Sequence, residues 1–116
     1  MIAVDLMDST DGEAILKVAL GKETGFYDFS RGRVHGLWID DGTHVDILAV
    51  TADRPGNGDF SHFIAALMGE RRRIRFIHVG SPVLKAALLR RGFVECEWFH
   101  LGELVDGMRW TKGGTA

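Results

Sequence analysis

The chain has 116 residues, 46% of them hydrophobic and 26% charged, with 14 basic against 16 acidic side chains and a net charge of −2. A chain of this size buries about 65% of the surface it exposes when unfolded, enough for one core without metal or disulfide support. The charge balance argues against a nucleic-acid binder, which needs a basic stripe to release phosphate counterions. The single cysteine, Cys96, can form no internal disulfide and no cysteine-rich zinc site. No apolar run approaches the ~20 residues of a membrane span and no segment resembles a signal peptide. The expectation is one cytoplasmic domain over residues 1–111, with a tail at 112–116.

Fifteen glycines punctuate the chain. Met1–Leu6 reads as a strand, and Thr10-x-x-Glu13 as the capping box of a helix running through Leu20 to Gly21. GFYDF and VHGLWID flank Arg31-Gly32-Arg33 as a hairpin, which leads through Asp41-Gly42 into His44–Val50. That β-branched apolar run predicts a central strand covered on both faces. In Asp59–Met68 the spacing of Phe60, Phe63, Ile64, Leu67 and Met68 predicts one helical stripe, closed by Gly69. Arg75–Val79 reads as a second buried strand, with His78 in its buried pattern. Ser81 as N-cap and Pro82 at the first helical position open a helix that ends at Gly92. Phe93–Leu101 and Glu103–Thr111, joined at Gly102, complete a last hairpin. The order is β-α-β-β-β-α-β-α-β-β, without internal repeats or linkers.

Over residues 25–111 this order, and above all the strand, turn and helix of Val45–Met68, resembles the GNAT family of N-acetyltransferases. In that family a turn of the form R/Q-x-x-G-x-G/A and the following helix N-terminus hold the pyrophosphate of coenzyme A. Here the turn is Pro55-Gly56-Asn57-Gly58-Asp59-Phe60, with Pro55 and Phe60 departing from the signature. The resemblance implies an α+β fold whose central, mostly antiparallel twisted sheet has six to seven strands, with about three helices. It also implies an acetyl-coenzyme A site at Val50, Arg54, Gly56, Asn57, Gly58 and Ser81. Many members use a glutamate near the start of the fourth strand as general base, and His44 occupies that position, with Asp46 as an orienting acid. The plainer alternative for His44 is a solvent-facing residue after the Asp41-Gly42 turn. The tyrosine that protonates the thiolate in many members is Leu88 here, and the lone tyrosine, Tyr27, lies outside the motif.

The turn carries its own electrostatic expectation. Asp59, at the start of the helix, is expected to cap the helix itself and to repel a pyrophosphate. Phe60 is expected to point into the core. No His pair has metal-ligand spacing, so no metal is expected. Arg71-Arg72-Arg73 with Arg75 is the one basic cluster, read first as a solvated face and second as a phosphate or acidic-partner patch. Cys96 is expected as a buried thiol, and Trp38, Trp98 and Trp110 as core or interface residues.

Short chains of this kind also resemble GNAT-like proteins of tailed bacteriophages, including an internal virion protein of short-tailed phages. The resemblance rests on Val79-Gly80-Ser81 and on the Thr111–Gly114 ending, and would place the protein in the host cytoplasm or the virion. Leu88, Pro55, Asp59 and Phe60 favour a non-catalytic structural or host-interaction role, with a protein partner or self-association. The alternative is an active acetyl-coenzyme A-dependent N-acetyltransferase, with His44 as base and a small amine, a protein N-terminus or a lysine as acceptor.

Overall fold

A computed structural model describes residues 25–54 and 56–114. The strand and helix predicted within residues 1–21 lie outside the described residues, as does Pro55. The described elements are β1 (Tyr27–Arg31), β2 (Val34–Asp40), β3 (His44–Ala52), α1 (Asp59–Glu70), β4 (Arg73–Ile77), α2 (Pro82–Arg90), β5 (Val94–His100) and β6 (Glu103–Thr111), followed by a 3-10 turn at Lys112–Gly114. They form an α+β fold with one six-stranded mixed sheet in the order β1-β2-β3-β4-β6-β5. Among the described strands only the β3–β4 pair is parallel. Between those two strands runs α1, the crossover that a parallel connection requires. Two α-helices are described where about three were expected, because the predicted first helix falls outside the described residues.

Both helices pack on one face of the sheet. Phe63, Ile64 and Leu67 of α1 and Leu84 and Leu88 of α2 join Val45, Ile47, Val50, Phe76 and Met108 in the main core. Burying each such side chain contributes roughly 2 kcal/mol. Phe60 packs at the margin of this core, 6.0 Å from Phe63 and 6.3 Å from Phe76 between ring centroids, as its place on the stripe requires. On the opposite face Phe26, Leu37, Ala49 and Ile77 make a smaller cluster, against which Trp98 packs.

Two predicted boundaries move. Gly69 does not end α1; the helix continues to Glu70 and its cap is Arg71, whose amide donates to the Leu67 carbonyl at 2.8 Å. Arg71 is extended, and that change of backbone is the actual stop. The strand predicted at Arg75–Val79 is Arg73–Ile77, because His78 adopts a left-handed φ of 53° and leaves the ladder. His78 is exposed rather than buried; its amide bonds the Asp106 carbonyl and its ring the Asp106 carboxylate, at 2.8 and 2.7 Å. By contrast α2 starts as its sequence dictates, with Ser81 Oγ accepting from the Leu84 amide and Pro82 following.

The feature that positions the site is a break of register in β3. Leu37 pairs with Ala49 but Trp38 pairs with Ile47, so Leu48 is an extra residue without a partner on β2. This is a β-bulge, which bends its strand and sharpens the local twist. Parity changes across it: Val45, Ile47 and Val50 face the helices, whereas Leu48 and Ala49 both pack with the opposite-face cluster. At the same point β3 and β4 part. Their ladder runs from His44↔Arg73 to Ile47↔Phe76 and stops, while β3 continues beside β2 to Ala52.

Candidate functional site: an arginine-lined cleft at the glycine turn

Gly56 and Gly58 have φ of 82° and 83°, a left-handed backbone that side chains resist, and a β-carbon on either would meet nothing within 4 Å. The Asn57 amide donates to the Arg54 carbonyl at 3.2 Å and closes the turn. Gly58 is the N-cap of α1, and His62 N donates to Gly58 O as the first helical bond. The amides of residues 59–61 therefore precede the ladder, and no side chain caps them.

The capping expected of Asp59 does not occur. Asp59 is the first helical residue, not the N-cap, so its carboxylate is not placed as a capping oxygen. Oδ2 is buried with no hydrogen bond, 4.0 Å from Arg54 Nε. The helix end stays open as an anion-attracting terminus, although a carboxylate stands beside it.

Over this terminus lies a cleft of about 490 Å³ whose walls include Gly56, Gly58 and Ser61 on one side and Val83, Ala87, Arg90 and Arg91 of the α2 region on the other, with Arg54 at the turn. Arg91 spans the two helices, donating to Ala87 O at 3.1 Å and to Ser61 Oγ at 3.0 Å. Three guanidiniums thus face one carboxylate across a space of nucleotide size. Arg90 and Arg91 were missed as binding residues, because a charged pair before a C-terminal glycine reads as an ordinary helix end.

The remaining predicted cofactor residues divide. Val50 is buried and lines the space where β3 and β4 part. Asn57 is exposed in the turn. Ser81 is buried at the N-cap of α2, its hydroxyl committed to the Leu84 amide. The parting of the strands does not open a channel: bounded by Val50, Phe76, Val79 and Leu84, it encloses about 10 Å³, room for one water molecule.

His44 stands at the other end of β3, with 43% of its side chain exposed. Its neighbouring acid is Asp41, which accepts from the His44 amide at 2.7 Å and lies 3.8 Å from Nδ1. The backbone amides of His44 and Thr43 hold the Asp41 carboxyl below the usual carboxylate range. Asp46 does not orient His44. Both of its oxygens accept from Arg75 at 2.7 Å, a bidentate pair that uses up the carboxylate. Sequence alternation puts His44 and Asp46 on one face, but β4 supplies a guanidinium that takes both carboxylate oxygens.

Neither the position of the family's tyrosine nor the lone tyrosine supplies a proton donor. Leu88 is fully buried in the core. Tyr27 Oη is bonded to the Asp40 backbone, donating to its carbonyl and accepting from its amide at 2.8 and 3.2 Å. Among the described residues no cluster of three metal-ligating side chains occurs, and no helix is long and apolar enough to cross a membrane. Cys96 is half-buried rather than buried, and burial pushes its thiol up. Comparison with protein-family models, with curated proteins and with solved structures finds no match.

Proposed function

We propose that this protein is a GNAT-like domain that binds the nucleotide head of coenzyme A and works as a binding module, in a structural or host-interaction role, rather than as a transferase. The cleft over the α1 terminus carries this reading: it combines uncapped amides, two left-handed glycines and three arginines in one space of about 490 Å³. A pyrophosphate needs those groups together, because bare backbone allows close approach and guanidiniums neutralise what the amides do not.

The separation between head and arm argues for binding without turnover. The GNAT resemblance seats the pantetheine arm between the parted strands, and here that space has room for no more than one water. Opening it would displace Val79 or Leu84 from contact. Leu88, at the position of the family's tyrosine, has no proton to give and is core.

Calorimetric titration tests the proposal with coenzyme A, acetyl-coenzyme A and 3′-phospho-ADP. The expected result is binding of all three within about threefold of one another, since the head supplies the contacts. Absence of heat with all three overturns it. If acetyl-coenzyme A instead bound much more tightly than 3′-phospho-ADP, and amines were acetylated in a reaction lost in His44→Ala, the enzymatic reading would replace it. The exposure of His44 beside Asp41 is the observation that keeps that second reading in view.

A further inference from the structure

The basic cluster of the sequence splits in the fold. Arg71 is absorbed by Asp40 and Glu70, and Arg72 is exposed at the loop. Arg73 and Arg75 alternate with buried Ile74 and Phe76 of the main core, so they project to the face opposite the helices. On that face Arg75 is directly opposite Arg109 of β6, and Arg73 is directly opposite His44 of β3. Like charges at directly opposed ladder positions are destabilising. The sheet answers only part of this charge.

At the ladder positions beside Arg73, Arg75 and Arg109 the carboxylate is Asp46, opposite Arg75 on β3, and Arg75 takes both of its oxygens. Arg73 reaches Asp46 only at 3.9 Å, and its Nε is buried without a hydrogen-bond partner. Among the described residues Arg109 has no carboxylate within 4 Å. Arg75 is itself fixed, its guanidinium 4.3 Å from the centroid of the Trp98 ring. Trp98 Nε1 is a second buried donor without an acceptor. Burial, then the neighbouring Arg75, pushes the Arg73 guanidinium down, as an undercompensated cation requires.

We propose that this face is a second anion site, independent of the cleft, in which Arg73 and Arg109, braced by Arg75 and flanked by His44, bind a doubly charged oxyanion of the phosphate-monoester kind. The donor set gives the class. Three guanidiniums outnumber Asp46 on the face and Asp41 at its edge beside His44, and the tetrahedral oxygens of a phosphate monoester can accept from Arg73, Arg109 and the buried Trp98 indole together, which a planar carboxylate does not. Access is from the Arg73 and His44 edge, where a third of one side chain and 43% of the other are open to solvent. Arg75 lies deeper and stays with Asp46, its stacking on Trp98 holding the floor of the site in place.

The test is a titration of the whole ¹⁵N-labelled chain with sodium phosphate, at ionic strength held constant with sodium chloride, reading the Trp98 indole N–H resonance. A saturable shift is expected with phosphate, at least tenfold weaker in Arg109→Gln and in Arg73→Gln, and unchanged in Arg90→Glu, which alters only the cleft. A succinate arm separates the oxyanion class from dicarboxylates: succinate binding as tightly as phosphate overturns the assignment of class. No saturable shift, or a shift that survives in both Arg109→Gln and Arg73→Gln, overturns the site. Should Arg73→Gln fail to fold, Arg109→Gln decides alone, because among the described residues Arg109 makes no ion pair to lose. Coenzyme A binding by calorimetry together with a Trp98 resonance silent to phosphate refutes this site and leaves the cleft standing; a Trp98 shift with phosphate and no coenzyme A heat refutes only the cleft.

Discussion

Gly36 lies directly against Ala49 across the β2–β3 ladder: a β-carbon on Gly36 would overlap the Ala49 carbonyl oxygen and come within 2.7 Å of the carbonyl carbon. This close approach sits next to the bulge, where the backbone of β3 swings towards β2. Gly36→Ala therefore meets backbone, which cannot rotate away as a side chain could. We expect a loss of about 3 kcal/mol or more, read as a lowered urea midpoint. A loss under about 1 kcal/mol would show that β3 can shift without cost.

Asp40 and Arg71 make the second test. Burial would raise the Asp40 carboxyl, but two hydrogen bonds from Arg71 and one from the Gly42 amide outweigh it and hold the group below its usual range. With a folded pKa below the unfolded one, the unfolded chain takes up the proton first as pH falls. The contribution is complete above the ordinary carboxylate pKa of about 4 and is lost as pH falls through the folded value. Stability should fall from pH 5 to pH 3, and Asp40→Asn should flatten that decline while costing about 1–2 kcal/mol at pH 7. An unchanged slope in the variant would assign the acid sensitivity elsewhere.

Asp59 opposes the ligand proposed for the cleft. Its unpaired Oδ2 is buried beside the helix end that would hold the pyrophosphate. Asp59→Asn removes the charge and keeps the shape, so coenzyme A should bind about tenfold more tightly, or about 1.4 kcal/mol. Arg90→Glu should weaken binding by at least as much. If neither variant moves the affinity, the nucleotide is not in this cleft.

Leu101 carries a left-handed φ of 51° at the β5–β6 turn and is 71% exposed. Leucine is poorly suited to that backbone, which asparagine tolerates in two-residue hairpin turns before glycine, as Gly102 is here. Leu101→Asn should stabilise the fold by about 0.5–1 kcal/mol, raising Tm by a few degrees. A drop in Tm would mean that the apolar side chain makes a contact in solution worth more than the strain.

Element order was legible because each element carried a local signal. Ser81-Pro82 could only open α2, and the five-residue apolar stripe could only be α1. Where the competing interaction was distant, sequence reasoning went astray. Asp46 was read beside His44 from strand alternation, yet its partner, Arg75, arrives from a strand 29 residues on. Asp59 was read as a cap, yet the left-handed Gly58 takes the cap position and shifts the carboxylate into the first turn. The cleft itself was half visible. Its glycines stand in one turn, whereas Arg90 and Arg91 come from the far end of another helix, a juxtaposition that no spacing encodes.

The bulge at Leu48 gives β3 something like a reading frame. A strand counts in twos, and every residue after the inserted one is read in the shifted count. Val50 and Ala52 are inward, and Thr51 outward, only because Leu48 is there. Deleting that one residue would turn Thr51 towards the core and Val50 and Ala52 out of it. A one-residue deletion here should then be far more disruptive than any substitution of Leu48, which is itself only half-buried. The place where the two central strands separate is thus held by chain length rather than by the identity of a side chain.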